Sequence, residues 1–371
     1  MAKTLSNLHQ LHLTGVSPWS DQISKKMLDD EELAQRIVED SVTGVTSNPS
    51  IFAKAIVGTS DYEEQMKELT QRGAETTEII ASLMGSDIQR ACDELRSVYD
   101  STDGRDGFVS VEVTPTLAHD TEPSIAEARE WVKRIDRPNL LVKIPATEEG
   151  LPAIERLIGE GISINVTLIF SLERYRQVMD AYLSGIEAYL DQGGDASRVA
   201  SVASFFVSRM DTEVDNRLER IGTPDALALR GKTAIANARL AYRAFLDTFQ
   251  GQRWESLVER GARIQRPLWA STSTKNPDYP DTLYVQELVA PHTVNTMPLD
   301  TIDAYQDHGP DPHPFGPEEM AHSATILRAM ADVGVDYDDV MEVLEREGVE
   351  KFSASWNDLV DDVDQERQKL T

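Results

Sequence analysis

Short runs of β-branched and other apolar residues alternate with longer segments in helical spacing along most of the chain. Runs of this length and composition are typical of strands. They lie near Val16–Asp21, Val42–Asn48, Phe108–Thr114, Leu140–Thr147, Ser163–Phe170, Val199–Ser208, Pro267–Thr272 and Glu287–Val294. Between them, apolar residues share one helical face, as at Ile125, Ala128, Trp131, Val132 and Ile135. This alternation predicts an α/β fold with a parallel sheet.

A closed (β/α)8 barrel, the TIM barrel, accommodates this number of strands, here with additional helices. Three longer helical stretches, at Tyr62–Tyr99, Leu172–Leu190 and Asp225–Phe249, would be insertions that bring a barrel of typically about 250 residues to 371. The last segment, Pro317–Leu370, is predicted to form helices packed on or across the barrel. Residues 1–371 would then form a single domain, with the C-terminal helices at about 315–371. An open, doubly wound sheet is the alternative, but no G-x-G-x-x-G turn follows the first strands.

Polar and apolar residues alternate within the candidate strands, and successive strand residues point to opposite faces. The third and fifth strands divide in this way. Their polar faces hold Ser110, Glu112 and Thr114 and Ser163, Asn165 and Thr167, opposite Val109, Val111 and Val113 and Ile164, Val166, Leu168 and Phe170. The apolar faces should meet the helices, so the polar faces should point into the barrel. Since branched apolar side chains usually fill a barrel interior, this departure predicts a polar interior site.

Lys143 stands in the middle of the apolar run LLVKIPAT. Burial disfavours an ammonium ion and can leave a free amine that attacks a carbonyl, as a Schiff-base lysine must. The alternative is an edge strand that leaves Lys143 in water. Glu112, on an inward face, needs a partner such as Lys143 or Thr167. Glu112 and Thr167 could hold the water of imine formation, or Glu112 could form a purely structural salt bridge with Lys143.

Four further residues lie at the ends of candidate strands, where barrel active sites are built. Asp21 ends the first strand, although an Asp there is also a common N-cap, here of the segment QISKKML. Asn48 precedes Pro49, and a turn-forming role is the ordinary explanation of such an Asn. Arg209 and Lys275 follow two strands and would converge at one rim, where they could clamp a phosphate. Solvated surface side chains are the alternative for both.

Charge and cysteine content narrow the classes of partner. Acidic residues outnumber basic ones 64 to 36, and the formal net charge of -28 would repel a nucleic acid, whereas a small anionic substrate needs cations gathered in one cleft. Cys92 is the only cysteine, which fits a reducing, cytoplasmic location. The sequence has no signal-peptide pattern and no apolar run of membrane-spanning length, so no membrane association is expected. The histidines lack metal-ligand spacing, and no metal site is expected.

Five segments resemble the transaldolase family: GVTSNPSIF (44–52), LLVKIPAT (140–147), INVTLIF (164–170), SFFVSR (204–209) and RPLWASTSTKNPDY (266–279). They occur in the family's order over nearly the whole chain, and the long form of the last segment is similar to that of a bacterial subfamily. The resemblance implies a TIM barrel with Lys143 on the fourth strand as Schiff-base nucleophile. Asp21 would be the acid/base at the sugar hydroxyl, and Glu112 and Thr167 would orient the catalytic water.

The resemblance also implies a substrate site. Its residues would be Asn48, Asn165 and Ser204, which hydrogen-bond the dihydroxyacetone part of a sugar phosphate, Phe206, which lines the pocket, and Arg209, which binds the phosphate. Many transaldolases have an Arg after an Ala-Ser pair, where this chain has Lys275. An ammonium is a point charge and not a planar fork, so Lys275 is a departure from the family's phosphate site.

The implied reaction moves a dihydroxyacetone unit from sedoheptulose 7-phosphate to glyceraldehyde 3-phosphate, giving erythrose 4-phosphate and fructose 6-phosphate, in the non-oxidative pentose phosphate pathway. No cofactor is implied. One alternative is a class I fructose-6-phosphate aldolase, which releases the three-carbon unit. The other, a non-catalytic sugar-phosphate-binding barrel, is disfavoured because Asp21, Glu112, Lys143 and Thr167 are all present. The sequence leaves the oligomeric state open.

Overall fold

The strands are parallel and follow one another around a closed barrel in chain order, and β8 pairs with β1 to close it. The described part of the chain comprises residues 5–47, 49–56 and 59–370. These are the residues that the computed structural model describes, without the side chains of Pro49 and Lys54. The strands are β1 (Val16–Ser20), β2 (Gly44–Val45), β3 (Val109–Glu112), β4 (Leu140–Pro145), β5 (Ile164–Ile169), β6 (Ser201–Phe206), β7 (Gln265–Ala270) and β8 (Thr293–Met297). The predicted (β/α)8 barrel with additional helices is confirmed.

Helices surround the barrel. Those before β3 are α1 (Asn7–Leu13), α2 (Lys25–Asp29), α3 (Glu32–Glu39), α4 (Pro49–Ile56), α5 (Glu63–Gln71), α6 (Thr76–Glu94) and α7 (Arg96–Ser101). Those between β3 and β8 are α8 (Thr121–Ile135), α9 (Gly150–Ile158), α10 (Leu172–Asp191), α11 (Ser208–Ile221), α12 (Pro224–Leu227), α13 (Thr233–Thr248), α14 (Gly251–Val258) and α15 (Leu283–Glu287). After β8 follow α16 (Leu299–His308), α17 (Pro317–Asp332) and α18 (Tyr337–Lys369). None of the helices among the described residues combines the length and the hydrophobicity that a transmembrane span requires.

The eighth strand begins later than the sequence pattern predicts. A strand over Glu287–Val294 is wrong for most of its length, because α15 ends at Glu287 and β8 begins at Thr293. The apolar residues between them are buried in a connection that makes no strand pairs. The carbonyl of Leu288 there accepts a hydrogen bond of 3.0 Å from the indole of Trp269. The connection is apolar because it is buried, and an apolar run of this length resembles a strand in the sequence.

Two of the predicted helical insertions also differ from the structure. The stretch Leu172–Leu190 corresponds to α10, which is the helix that connects β5 to β6 in the regular barrel alternation and is not an insertion. The stretch Tyr62–Tyr99 divides into α5, α6 and α7, all of which lie between β2 and β3. Helical periodicity locates such helices, but it does not say which of them complete the barrel.

The end of the barrel at which the strands begin is filled by an indole and a buried polar cluster. A Cβ at Gly44 would lie 2.4 Å from Trp19 Cε2, so only a glycine leaves room for this ring. The indole Nε1 donates to Asp106 Oδ1 at 2.8 Å, and Ser17 Oγ donates to the other oxygen of this carboxylate. Arg266 Nη1 lies 3.7 Å from Asp106 Oδ2. The opposite end of the interior holds the candidate site.

The long helix α18 packs against α4, α6 and α11 and against β5. Its N-cap is Asp336, whose side chain accepts hydrogen bonds from the backbone amides of Asp338 and Asp339. A Cβ at Gly348 would lie 3.2 Å from Leu168 Cδ2, so a glycine at this position allows α18 to approach the end of β5 closely. One turn later, Phe352 is only 6% exposed.

A buried carboxyl group on α6 makes stability depend on pH. Asp87 is 1% exposed and accepts a hydrogen bond of 2.6 Å from the hydroxyl of Tyr62. Burial raises the pKa of Asp87 from 3.8 to about 6. Between these values the folded protein keeps a proton that the unfolded chain has released. The contribution of this proton to the free energy of unfolding is complete below the unfolded pKa. It is lost as the pH rises through the folded pKa, which lowers the free energy of unfolding by about 3 kcal/mol.

We expect Asp87→Asn to remove this pH dependence, since an amide oxygen still accepts the Tyr62 hydroxyl. The free energy of unfolding, measured by urea denaturation, should shift between wild type and variant by about 3 kcal/mol from about pH 4 to about pH 7, with the variant gaining relative to wild type at the higher pH. Parallel pH curves for the two proteins would show that Asp87 titrates normally.

Candidate active site

A cavity of about 120 Å³ lies at the carboxyl-terminal ends of the strands. We call it the inner cavity. Among its lining side chains are Asp21, Lys143, Thr167, Ser204, Phe206 and Arg209, all of which the sequence singles out. Glu112 and Asn165 lie behind this lining and contact it through hydrogen bonds. Asn48 lies outside the described residues, so its predicted role stays a prediction.

Lys143 is buried in the barrel wall, and its ammonium group donates hydrogen bonds to two acceptors. Its Nζ donates to Glu112 Oε2 and to the backbone carbonyl of Ser47, each at 3.0 Å. The strand register explains the first contact, because Glu112 of β3 is paired directly with Lys143 of β4. The edge-strand alternative for Lys143 is wrong, since β4 lies between β3 and β5 in a closed barrel. The carbonyl of Ser47 was not identified from the sequence, because a backbone acceptor leaves no side-chain signal.

The Glu112 carboxyl group is in an environment that disfavours its charge. It is 4% exposed, and its Oε1 has no hydrogen-bond partner among the described residues. Burial raises the pKa of Glu112, while the ammonium of Lys143 and the guanidinium of Arg209 oppose that rise. A carboxyl group with a raised pKa, in direct contact with an ammonium, is a suitable acceptor for the proton of that ammonium.

A short chain of polar side chains continues from Lys143 around the barrel. Asn165 is paired in register with Lys143. Its Nδ2 donates to Ser110 Oγ at 3.0 Å, and its Oδ1 accepts from Ser204 Oγ at 2.7 Å. Thr167 Oγ1 is buried, lines the inner cavity and has no hydrogen-bond partner in the described part of the chain. The hydroxyls of Ser204 and Thr167 therefore face the same small space as the lysine.

The regular alternation predicted for the fifth strand ends at Leu168. This residue has φ +59°, a left-handed conformation that costs a side-chain-bearing residue about 1–3 kcal/mol. The pairing of β5 with β6 shifts by one residue between Val166 and Ile169, as in a β-bulge. Beyond it, Phe170 packs on Phe206 of the inner cavity, with 5.3 Å between ring centroids. The bulge thus ends the polar and apolar alternation just after Thr167.

Asp21 lies directly after β1, where its backbone N–H donates to the carbonyl of Met297 at 2.9 Å. The prediction that it caps the following helix is wrong. Ser24 is the N-cap of α2, and its Oγ accepts from the backbone N–H of Met27 at 3.1 Å. Asp21 instead lines the inner cavity.

Arg209 lies between two aromatic rings at the mouth of the inner cavity. Its Cζ is 5.2 Å from the ring centroid of Phe206 and 5.4 Å from that of Phe352. The ring of Phe352 is also 5.9 Å from Lys143 Nζ. Sequence reasoning missed Phe352, because it lies about 200 residues from the lysine in an ordinary amphipathic helix. Nothing in its local pattern distinguishes it from the other buried apolar residues of α18.

A wider cavity of about 590 Å³ continues from the inner one and shares Asp21, Arg209 and Phe352 with it. We call it the outer cavity. Lys275 lines this cavity, and its Nζ donates to Ser273 Oγ at 2.7 Å. The two cations predicted to converge at one rim, Arg209 and Lys275, therefore do lie along a single cleft. Lys275 itself is exposed.

This arrangement combines an amine that can attack a carbonyl with a cleft in which two cations, Arg209 and Lys275, lie among the carboxyl groups of Asp21, Asp281 and Asp300. The amine has a carboxyl group beside it and hydroxyl and amide groups around it, which suits covalent chemistry on a polyhydroxylated carbonyl compound. A guanidinium at the mouth, with a further ammonium outside, suits a phosphate group on that compound. Within the described residues, no three His, Cys, Asp or Glu side chains are grouped so as to hold a metal ion.

Known proteins match this chain over nearly its whole length. Residues 18–363 match the family described as Transaldolase/Fructose-6-phosphate aldolase. A protein named transaldolase from Acidothermus cellulolyticus is 55% identical over 352 residues, which cover 95% of this chain and 94% of the relative. Proteins of the same name from Thermobifida fusca and Mycobacterium ulcerans are 54% and 53% identical. These alignments cover 97% of this chain in both cases, and 98% and 97% of the two relatives.

Proposed function

The chain belongs to the transaldolase/fructose-6-phosphate aldolase family, and we propose that it acts as a transaldolase through a Schiff base on Lys143. The observation that carries the proposal is the buried amine of Lys143, held 3.0 Å from a carboxyl group whose pKa burial raises, in a cavity with Arg209 at its mouth. The three relatives described above, each more than half identical over nearly the full chain, are named transaldolase.

The first step needs a neutral amine. We propose that Glu112 accepts the proton of Lys143, since transfer between them replaces two buried charges by two neutral groups. The carbonyl of Ser47 keeps the amine oriented by accepting from one of its two remaining N–H groups. Attack of Nζ on the C2 carbonyl of the ketose then gives a carbinolamine, and loss of water gives the imine. In this proposal Glu112 and Thr167 orient that water.

The imine withdraws electrons from the C3–C4 bond. We propose that Asp21 removes the proton of the C4 hydroxyl, so that the C3–C4 bond breaks, the aldose leaves and a three-carbon enamine remains on Lys143. An acceptor aldehyde takes the place of the aldose, and the enamine carbon attacks it while Asp21 returns the proton. Water then hydrolyses the new imine and releases the ketose. The aromatic rings of Phe206 and Phe352 limit access of water to the enamine in the meantime.

Substrate recognition follows from the remaining polar groups. Ser204, which lines the inner cavity, would hydrogen-bond the hydroxyls of the dihydroxyacetone part, and the family resemblance adds Asn165 and Asn48. Arg209 would bind the phosphate of donor and acceptor, with Lys275 as a second and more distant cation. The donor would be sedoheptulose 7-phosphate and the acceptor glyceraldehyde 3-phosphate, in the non-oxidative pentose phosphate pathway.

The proposal extends to the location of the enzyme, its domain organisation and its partners. We place it in the cytoplasm, where the single cysteine, Cys92, stays reduced. We regard residues 1–371 as one domain, since α18 contributes Phe352 to the cavities and the helices after about residue 315 then belong to the active enzyme. The acidic net charge argues against nucleic acid as a partner.

Initial-rate kinetics test the transfer. A covalent enamine that waits for an acceptor requires ping-pong behaviour, so double-reciprocal plots at several acceptor concentrations should be parallel. Intersecting lines would rule out the covalent intermediate. Without an acceptor, dihydroxyacetone should not accumulate beyond one equivalent of enzyme, whereas steady accumulation would identify a fructose-6-phosphate aldolase.

Phe352 provides a test of the contribution of α18. We expect Phe352→Leu to lower kcat/KM by about 10-fold, because the variant keeps an apolar side chain but loses the ring beside the two cations. Phe352→Ala should in addition lower the free energy of unfolding by about 3 kcal/mol. Steady-state kinetics and urea denaturation measure the two effects.

Phe315→Leu is the matched control. The ring of Phe315 lies 5.3 Å from Arg239 Cζ, but Phe315 lines neither cavity. Its loss should leave kcat/KM unchanged. Equal effects of the two Leu variants would show that the Phe352 ring acts only through folding.

A further inference from the structure

Two buried aspartates lie on α11, the helix that carries Arg209. Asp211 is 2% exposed and Asp215 8% exposed, and neither lines the inner or the outer cavity. Each carboxylate accepts a hydrogen bond from a tyrosine hydroxyl. Tyr284 donates to Asp211 at 2.9 Å, and Tyr279 donates to Asp215 at 2.6 Å. Both tyrosines come from the segment that follows β7, which is also the segment that carries Lys275.

The second oxygen of each carboxylate accepts a hydrogen bond from the backbone of a third segment, the end of the α12–α13 connection and the first turn of α13. Asp215 Oδ1 accepts from Gly231 N at 3.1 Å, and Asp211 Oδ1 accepts from Ala234 N at 2.9 Å. Gly231 has φ +69°, and a Cβ there would lie 2.8 Å from Tyr279 Cζ. The ring of Tyr279 therefore lies directly over Gly231, and a side chain at position 231 would clash with it.

Only a short, internally bonded turn separates Tyr279 from Lys275. The backbone N–H of Tyr279 donates to the carbonyl of Asn276 at 3.1 Å, and that of Asp278 donates to Asn276 Oδ1 at 2.9 Å. Asn276 is the neighbour of Lys275. The position of Lys275 along the cleft is thus fixed by where Tyr279 is bound, and Tyr279 is bound to the helix that carries Arg209.

We propose that Tyr279 and Asp215 are positioning residues for phosphate recognition, which set the separation of Lys275 and Arg209. This inference rests on the proposed function, because it assigns both cations to the substrate phosphate. Lys275 is exposed and bonds only a serine two residues away, among the contacts described for its side chain, so its own interactions do not fix its place. The Tyr279–Asp215 hydrogen bond transmits the position of α11 to the lysine and keeps both charges within reach of one anion.

Tyr279→Phe removes this hydrogen bond and keeps the ring over Gly231. We expect the KM for fructose 6-phosphate to rise about 5-fold with little change in kcat, and the inhibition constant of inorganic phosphate to rise by the same factor. The KM for fructose, which has no phosphate, should stay constant. Asp215→Asn should act in the same direction. Tyr182→Phe is the control, since its hydroxyl is also buried and bonded, to the carbonyl of Arg263, away from both cavities.

A double-mutant cycle with Lys275→Ala decides whether the effect passes through the lysine. If it does, Tyr279→Phe has no further effect on the KM for fructose 6-phosphate in the Lys275→Ala protein. The same 5-fold rise in both backgrounds, or an equal rise for fructose, would overturn the proposal and leave a structural role. Failure of the proposed function is a separate result, because it would show as absence of transfer by the wild-type protein.

Discussion

Lys143→Met should abolish transfer, with kcat/KM reduced by at least about 10⁴-fold. The thioether side chain fits the space of the lysine stem but has no nucleophilic nitrogen, so neither carbinolamine nor imine can form. Steady-state assay of fructose 6-phosphate with erythrose 4-phosphate measures the loss. A variant that keeps more than a hundredth of the wild-type rate would place the nucleophile elsewhere.

The same substitution should make stability depend on pH through Glu112. Without Lys143 the buried carboxyl group has lost its ammonium partner, and an uncompensated buried charge costs about 3–5 kcal/mol. Burial already raises the pKa of Glu112, so the folded variant keeps this group protonated where the unfolded chain has released the proton. Stability is then greatest at low pH and falls as the pH rises through the folded pKa.

The double variant Lys143→Met/Glu112→Gln is the control for that effect. It removes the titrating group, so its free energy of unfolding should lose the pH dependence while its activity stays absent. Urea denaturation of the single and double variants at about pH 5 and about pH 8 compares them. If the single variant is equally stable at both values, the environment of Glu112 is not the apolar one described.

Arg209→Gln should produce the second-largest loss, and only for phosphorylated substrates. We expect kcat/KM for fructose 6-phosphate to fall by about 100-fold, because charge-assisted hydrogen bonds to a phosphate contribute about 1.5–3 kcal/mol each. The value for fructose should change little. Arg209→Lys should lie between the two, since an ammonium keeps the charge without the planar fork.

Arg198→Gln is the matched control for Arg209. Arg198 is also an arginine next to β6, but it precedes the strand, and its side chain is 84% exposed and paired with Asp195. Its replacement should leave both substrates unaffected. Equal losses for fructose and fructose 6-phosphate in Arg209→Gln would show that Arg209 supports the cavity and does not bind the phosphate.

The inner wall of the site was predictable because strand geometry is regular. Parity places Glu112, Lys143 and Asn165 on inward faces, and parallel register in a closed barrel then puts them next to one another. The same regularity made the fifth strand misleading beyond Thr167. A single left-handed residue, Leu168, interrupts the alternation, and no side-chain pattern marks it.

Contacts distant in sequence were the part that could not be predicted. Phe352 reaches the cavity because Gly348 allows α18 to approach β5, which is a property of the packed structure. The Ser47 carbonyl contacts Lys143 through the backbone, which has the same chemistry in every residue. The capping role predicted for Asp21 failed because Ser24, three residues later, is a better placed N-cap.

Borohydride reduction of the protein in the presence of fructose 6-phosphate tests the Schiff base most directly. Reduction of the enamine's imine form should leave a stable three-carbon adduct, and peptide mass spectrometry should find it on Lys143 in the wild-type protein and on no residue in Lys143→Met. An adduct on another lysine, or none while fructose 6-phosphate is shown to bind by calorimetry, would contradict the proposed mechanism.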